Sequence, residues 1–398
     1  MRVLHVTPYY APAYAFGGVT RAVEGLTLAL ARAGHEVLVL TTDAGSQNAR
    51  LEAPPEETRG GVRVVRVPNL SVRARGRFNL STPLGMRRRA ERLLAGVDVV
   101  HCHEFRTLDN WLVTPPVRRL NLPLVLSPHG TLTLQTGRGG LKALWDRLLS
   151  PAMARRFAAV VGLAEAETDD ARAAWSRFAP GHAPHFLTIP NGVDLETFAA
   201  LPDGRAFRAR YGLGDAPVCL FLGRLHPRKG VEALTRAFLA ANLPAARLIL
   251  AGPDDGALAA VQPLIAGDPR VVLTGYLDDR ERLEALAAAD LFALPAVGEG
   301  LPMAALEAMA SGLPVILSPG CNLPEAAERD AGLVVEAAVE PLAAALWLLL
   351  TDRARRVTMG TNARALVRDR FTWDQVAGQY VALYATLKAD LRNPSGAA

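Results

Sequence analysis

Two carboxylates, Glu299 and Glu307, are the only charges in the run from Pro295 to Ile316. Met303, Leu306 and Met309 mark one apolar face of a helix that Pro302 can open, since a missing N–H costs nothing at the first helical position. Ala304, Ala305, Ala308 and Ala310 cover much of the remaining surface, so the helix is expected to be buried with Glu307 as its one charge. A buried carboxylate needs hydrogen-bond donors, and ligand hydroxyls are natural ones. Glu299 precedes the helix between glycines, so the pair can hold two separate polyol groups of one ligand. The N–H groups of Gly300 and Leu301 add donors at the helix start. The same spacing also suits a capping Glu299 and a half-exposed Glu307.

The cations stand in Gly223-Arg224-Leu225-His226-Pro227-Arg228-Lys229-Gly230. Arg224 offers a planar fork and Lys229 a point charge around a turn at a helix N-terminus, an arrangement suited to a pyrophosphate; a solvated basic turn is the other reading. Without a metal, these two groups would have to stabilise a leaving diphosphate themselves. His129, in Ser127-Pro128-His129-Gly130-Thr131, is a lone histidine at a strand end, and such a histidine is more often structural. Phe16-Gly17-Gly18-Val19 pairs two glycines before a helix, where backbone N–H groups can approach a phosphate. The chain has no Asp-x-Asp clamp for a metal-bound nucleotide sugar, no P-loop and no G-x-G-x-x-G. It also has no G-x-S-x-G, C-x-x-C or H-E-x-x-H. A nicotinamide dehydrogenase is disfavoured, and neither a metal nor a cofactor is expected.

Each of these loops follows a short, mainly apolar run. In the first half the strands are expected at Val3 to Val6, Val37 to Leu40, Val62 to Val67, Val97 to His101, Leu124 to Leu126 and Ala159 to Val161. In the second they fall at Val218 to Leu222, Arg247 to Leu250, Val271 to Leu273, Leu291 to Leu294 and Pro314 to Leu317. Helical patterns fill most gaps, the first from Gly18 to Ala33 with Gly34 as its cap. Alternation of this kind is the signature of α/β units on parallel sheets, which bind ligands beyond the carboxyl ends of their strands. The turn-rich Pro190-Asn191-Gly192-Val193-Asp194 suits a linker between two similar halves. At 398 residues, two domains are the starting expectation.

Together the Gly17-Gly18 loop, His129, Asn191 to Asp194, Gly223-Arg224, Lys229-Gly230, Gly252, Gly275-Tyr276-Leu277 and the Glu299 to Glu307 stretch resemble family 4 of the retaining glycosyltransferases. The likeness covers nearly the whole chain and is most specific in the second half. It implies the GT-B fold, an α/β architecture of two Rossmann-like domains facing a deep cleft. The first domain would be 1–188 on the acceptor side, completed by a returning helix at 372–391; the second, nucleotide-sugar domain would be 189–371, with a flexible tail at 392–398. It also implies roles: Arg224 and Lys229 on the donor diphosphate, Gly17 and Gly18 approaching it, and Glu299 on the transferred sugar beside the Gly300 and Leu301 N–H groups. Glu307 would take the ribose hydroxyls, Tyr276 and Leu277 would flank the base, and His129 would lie near sugar and acceptor. His129, Glu299, Arg224 and Lys229 form the implied catalytic set. The segment Gly320 to Glu325 departs from the family pattern, as does Glu336 to Val339, and both are expected to stand apart from the chemistry.

The implied activity is metal-independent transfer of a sugar, with retention, from a nucleotide-diphosphate sugar to a hydroxyl acceptor in polysaccharide or lipid-linked glycan synthesis. Retention would arise in one front-face step, the departing phosphate oxygen assisting proton removal; double displacement through Glu299 is the alternative. A GT-B sugar-nucleotide epimerase and a non-catalytic sugar- or nucleotide-binding protein are the rivals from other classes. Base, sugar and acceptor are not legible. Hydrophobic residues make up 50% and charged residues 21%, which excludes a largely disordered chain. Three distant cysteines suit a reducing compartment, and no apolar run approaches the ~20 residues of a membrane span, so a cytoplasmic protein is expected. Of the net charge of +5, much stems from nine arginines against one acid, Glu91, between Arg63 and Arg92. That segment suits peripheral contact with anionic lipid at the inner membrane face, or simply a solvated surface; few aromatics disfavour nucleic acid.

Overall fold

The computed structural model describes residues 1–46, 48–71, 73–75, 80–132 and 139–392. Two units emerge, Met1–Gly192 joined by the segment from Trp373 onward, and Val193–Thr372. The divisions fall at 192/193 and 372/373, four residues and one residue later than expected.

The first unit is built on eight strands, β1 (Arg2–Val6), β2 (Glu36–Thr42), β3 (Glu56–Arg59), β4 (Val62–Val67), β5 (Val99–His103), β6 (Leu124–Ser127), β7 (Ala159–Gly162) and β8 (His185–Thr188). Their order is β3-β4-β2-β1-β5-β6-β7-β8, parallel throughout except that β3 runs antiparallel to β4. The second unit has six parallel strands, β9 (Val218–Leu222), β10 (Arg247–Ala251), β11 (Val271–Gly275), β12 (Leu291–Leu294), β13 (Val315–Leu317) and β14 (Gly332–Val334), in the order β11-β10-β9-β12-β13-β14. Most inner strands are buried on both faces, which is why they read as largely apolar runs; β4 differs, since its Arg63 is exposed.

The strand order reverses between β1 and β5 in one unit and between β9 and β12 in the other. Loops leaving neighbouring strands at such a point diverge and open a crevice, so the residues after β9 and β12 are brought together by topology alone.

The helix Trp373–Arg392 returns the chain to the first unit. It is fastened by polar contacts: Tyr384 Oη to His101 Nδ1 at 2.7 Å, Tyr380 Oη to Ser127 Oγ at 3.1 Å, and Lys388 Nζ donating to Asp98 Oδ1 at 2.5 Å. Trp373 lies in a notch at Gly25, on the helix Gly18–Arg32, where a Cβ would come within 2.1 Å of the indole nitrogen. The expected tail falls partly elsewhere, since Arg392 ends the helix and 393–398 lie outside the described residues.

Candidate functional site

In the second unit the loop after β9 carries the cations and the loop after β12 the first carboxylate. Lys229 Nζ lies 2.8 Å from Glu299 Oε2, each side chain about one-fifth exposed (20% and 19%). Arg224 donates through Nη1 to Asp255 Oδ2 at 2.5 Å, leaving the rest of its fork for other acceptors. His226 caps the short turn Pro227–Lys229, its Nδ1 accepting from the Arg228 N–H at 3.1 Å. Burial and the surrounding Arg224, Arg228 and Lys229 cations hold this imidazole below the usual histidine range, against the pull of Asp255.

The two loops are tied together. Arg228 O accepts from Val297 N at 2.7 Å, and the Arg228 guanidinium donates to Gly298 O. Glu299 N donates to Gly320 O at 2.9 Å, and Asn322, in the left-handed conformation at φ 53°, donates through Nδ2 to the carbonyls of Glu299 (2.5 Å) and Gly300 (3.2 Å). The expectation that Gly320 to Glu325 stands apart from the chemistry is therefore corrected. This turn grips the backbone of the Glu299 loop, because β13 is the neighbour of β12 and its exit loop passes alongside.

Helix Met303–Ala310 is buried at every position but Ala304, as its composition predicts, with Pro302 as the cap residue rather than the first helical one. Glu307 is 6% exposed, and its Oε2 accepts a hydrogen bond from Arg282 Nη1. The partner required for this buried charge is thus supplied by the protein, from helix Asp279–Ala288. Tyr276, 53% exposed, and the buried Leu277 immediately precede that helix, whose start is fixed by an Asp278/Glu281 capping box. The surface side chain and the ion pair behind Glu307 therefore belong to one stretch of chain.

In the first unit Gly17 adopts φ 92° and ψ −150°, a region open essentially to glycine alone, and directly precedes helix Gly18–Arg32. The approach is stiffened by Tyr9 stacked on Phe16 at 3.6 Å and by Tyr14 Oη donating to Glu24 Oε2 at 2.8 Å. His129 follows β6 with φ 53°, unusual for a residue with a Cβ, and Gly130 follows at φ 74°. Glu167 holds this bend by accepting from the Gly130 and Leu163 N–H groups. Burial pushes His129 down to about 4, so it is neutral at neutral pH. Its Nε2 lies 3.0 Å from His103 Nδ1.

Sequence reasoning missed Arg282, Asp255, Asn322, Glu167 and His103. A signal existed for the last: in Val99–His103, residues 101 and 103 must share a face, but ending the strand at His101 concealed it. Arg282 sits in the charge-rich run Asp278-Asp279-Arg280-Glu281-Arg282, where nothing distinguishes the inward-facing residue.

Comparison with known proteins adds independent findings. A family model described as Glycosyltransferase Family 4 matches residues 16–197, and one described as Glycosyl transferases group 1 matches residues 216–352. The D-inositol 3-phosphate glycosyltransferase of Xylanimonas cellulosilytica is 30% identical, spanning 99% of this chain and 97% of its own. The GDP-mannose-dependent alpha-(1-6)-phosphatidylinositol monomannoside mannosyltransferase of Mycolicibacterium smegmatis is 31% identical, over 90% and 92%. Among solved structures, sucrose-phosphate synthase from Thermosynechococcus elongatus superposes with a TM-score of 0.77 at 24% identity, covering 98% of this chain and 100% of that one.

Proposed function

Because the chain belongs to glycosyltransferase family 4, with the GT-B fold, we propose that it transfers a sugar with retention, and without a metal, from a nucleotide-diphosphate sugar to a hydroxyl acceptor in glycan or lipid-linked glycan synthesis. The observation that carries this reading is the meeting of Lys229 and Glu299, 2.8 Å apart, at the strand-order reversal of the second unit. An ammonium group has three donors, so Lys229 can keep Glu299 and still bind an oxygen of the diphosphate. The adjoining Glu299 carboxylate can accept from sugar hydroxyls, while Arg224 binds a second phosphate oxygen through the donors Asp255 leaves over. As the bond to the anomeric carbon breaks, negative charge gathers on the departing phosphate, where these cations stabilise it most. The acceptor hydroxyl attacks from the same face and its proton passes to that phosphate oxygen. An ion-paired Glu299 is a poor nucleophile, which supports binding over double displacement. Glu307, fixed by Arg282, would hold the ribose, with Tyr276 and Leu277 near the base. Gly17, whose own N–H donates to Tyr14 O at 2.9 Å, would open the start of helix Gly18–Arg32 to phosphate, and the Gly300 and Leu301 stretch would line the sugar.

A panel of GDP-, UDP- and ADP-sugars with alcohol and phospholipid acceptors, read by the anomeric configuration of the product, tests the proposal. Turnover on one base class with the donor's configuration preserved is expected; an inverted product would overturn retention. Full activity should persist in excess EDTA, and loss restored by magnesium would refute metal independence. An epimerised sugar nucleotide from donor alone would favour the epimerase.

A membrane-surface reading has its own support. On helix Met86–Leu93, Arg88, Arg89 and Arg92 line a shallow pocket with the 52%-exposed Leu84, and no helix among the described residues is long and apolar enough to cross a membrane. Residues 72 and 76–79 of the arginine-rich segment lie outside the described residues. Sedimentation with vesicles should rise with anionic lipid content and fall with salt. Equal binding to neutral vesicles would remove this reading.

A further inference from the structure

Beneath His129 runs a file of imidazoles that the donor chemistry does not use. β1 and β5 pair with His5 opposite His101, so His5, His101 and His103 lie on one face, all buried. His129 Nε2 is 3.0 Å from His103 Nδ1, and His103 Nε2 is 3.0 Å from His5 Nδ1. The rings of each pair are stacked at 5.3 Å. His5 Nε2, at the inner end, is buried with no hydrogen-bond partner. His101 stands beside the file, bonded to Tyr384 and Ser127.

Burial pushes His5 down to about 3 and His129 to about 4, and burial with the neighbouring imidazoles holds His101 and His103 well below the usual range. Each ring is therefore neutral at neutral pH and carries one N–H. In a file of neutral rings, every hydrogen bond must point the same way. Pointing inward would bury an unpartnered N–H on His5 Nε2, whereas pointing outward leaves only a bare acceptor there. A buried N–H without a partner is the rarer orphan in folded proteins.

We infer that His103, backed by His5, is a positioning residue that fixes His129 in the tautomer protonated at Nδ1, making it a neutral hydrogen-bond donor to substrate and not a base. In this state the lone pair of His129 Nε2 accepts from His103, so no ring nitrogen of His129 remains to take the acceptor's proton. The inference rests on His129 being a substrate-contacting residue, and it sharpens the front-face mechanism by leaving proton removal to the departing phosphate. A metal held by His5, His101 and His103, whose ligand atoms all lie within 4.8 Å of one another, is the competing use of the cluster. It would require bare nitrogens where His5 and His103 share a proton.

The test is 15N NMR of the full-length protein labelled at histidine, with the His129 signal assigned by its loss in His129→Gln. Nδ1 of His129 should be protonated and Nε2 bare. The reverse pattern, or a stoichiometric metal ion in the purified protein, would overturn the inference. Kinetics supply the second arm: His103→Leu should lower kcat about tenfold with little change in donor KM. His103→Gln, which keeps a donor, should recover much of that loss. In the double variant with His129→Ala, His103→Leu should add nothing further. If His129→Ala alone keeps wild-type turnover, the reading of His129 as a site residue fails. If His129→Ala is impaired but His103→Leu is not, only the positioning role fails.

Discussion

Alanine at Lys229 or at Arg224 is expected to lower kcat by about 100- to 1,000-fold, the range found when one preorganised donor to a developing anion is removed. Both side chains are surface-accessible to a useful degree, with Lys229 20% and Arg224 41% exposed, so the fold should survive with its melting transition little changed. The two variants should differ in detail. Lys229→Ala also releases Glu299 from its ion pair, so donor KM should rise along with the loss in kcat. Arg224→Lys restores charge but not the fork, and should recover only part of the activity. Steady-state kinetics on the preferred donor read all three. Near-normal turnover in both alanine variants would remove the diphosphate role.

The second large effect is on stability. Arg282 and Glu307 are 11% and 7% exposed at their side chains, and removing one member of such a pair strands the other charge in a poorly solvated place. Arg282→Met should therefore cost about 3–5 kcal/mol in urea denaturation. Replacing both, Arg282→Met with Glu307→Leu, should regain most of that stability, since a buried pair exchanged for apolar groups is often close to neutral. The double variant should nevertheless fail with the donor, because the ribose contact proposed for Glu307 would be lost. A single-variant loss below about 1 kcal/mol would show that the pair is solvated and that Glu307 is not held as described.

Most inner strands were legible because burial writes itself as a short, mainly apolar run. Val62–Val67, Val218–Leu222 and Leu291–Leu294 fall where expected. The strands not anticipated, β3, β8 and β14, are all at sheet edges. Glu56–Arg59 is a polar ribbon, His185–Thr188 is incompletely buried and Gly332–Val334 is three residues long, so none has the apolar signal that marks a central strand. The site shows the same division. Residues proposed to offer groups to a ligand, such as Glu299 and Lys229, stood out by position after a strand. Those that hold them, Arg282, Asn322 and His103, reach across from other segments, and no local pattern announces a contact made over a distance in sequence.

The returning helix has a consequence for how the protein is made. The bed that receives it, with the Gly25 notch, His101, Ser127 and Asp98, is complete in the nascent chain long before Trp373 leaves the ribosome. At about 5–20 residues per second, roughly 10–40 s separate the emergence of the first unit's main segment from that of its closing helix. Meanwhile the second unit, Val193–Thr372, is continuous in sequence and can fold as soon as it is synthesised. Order of synthesis and order of completion are thus reversed: the unit begun first is finished last, and the bed of its closing helix stays uncovered throughout that interval.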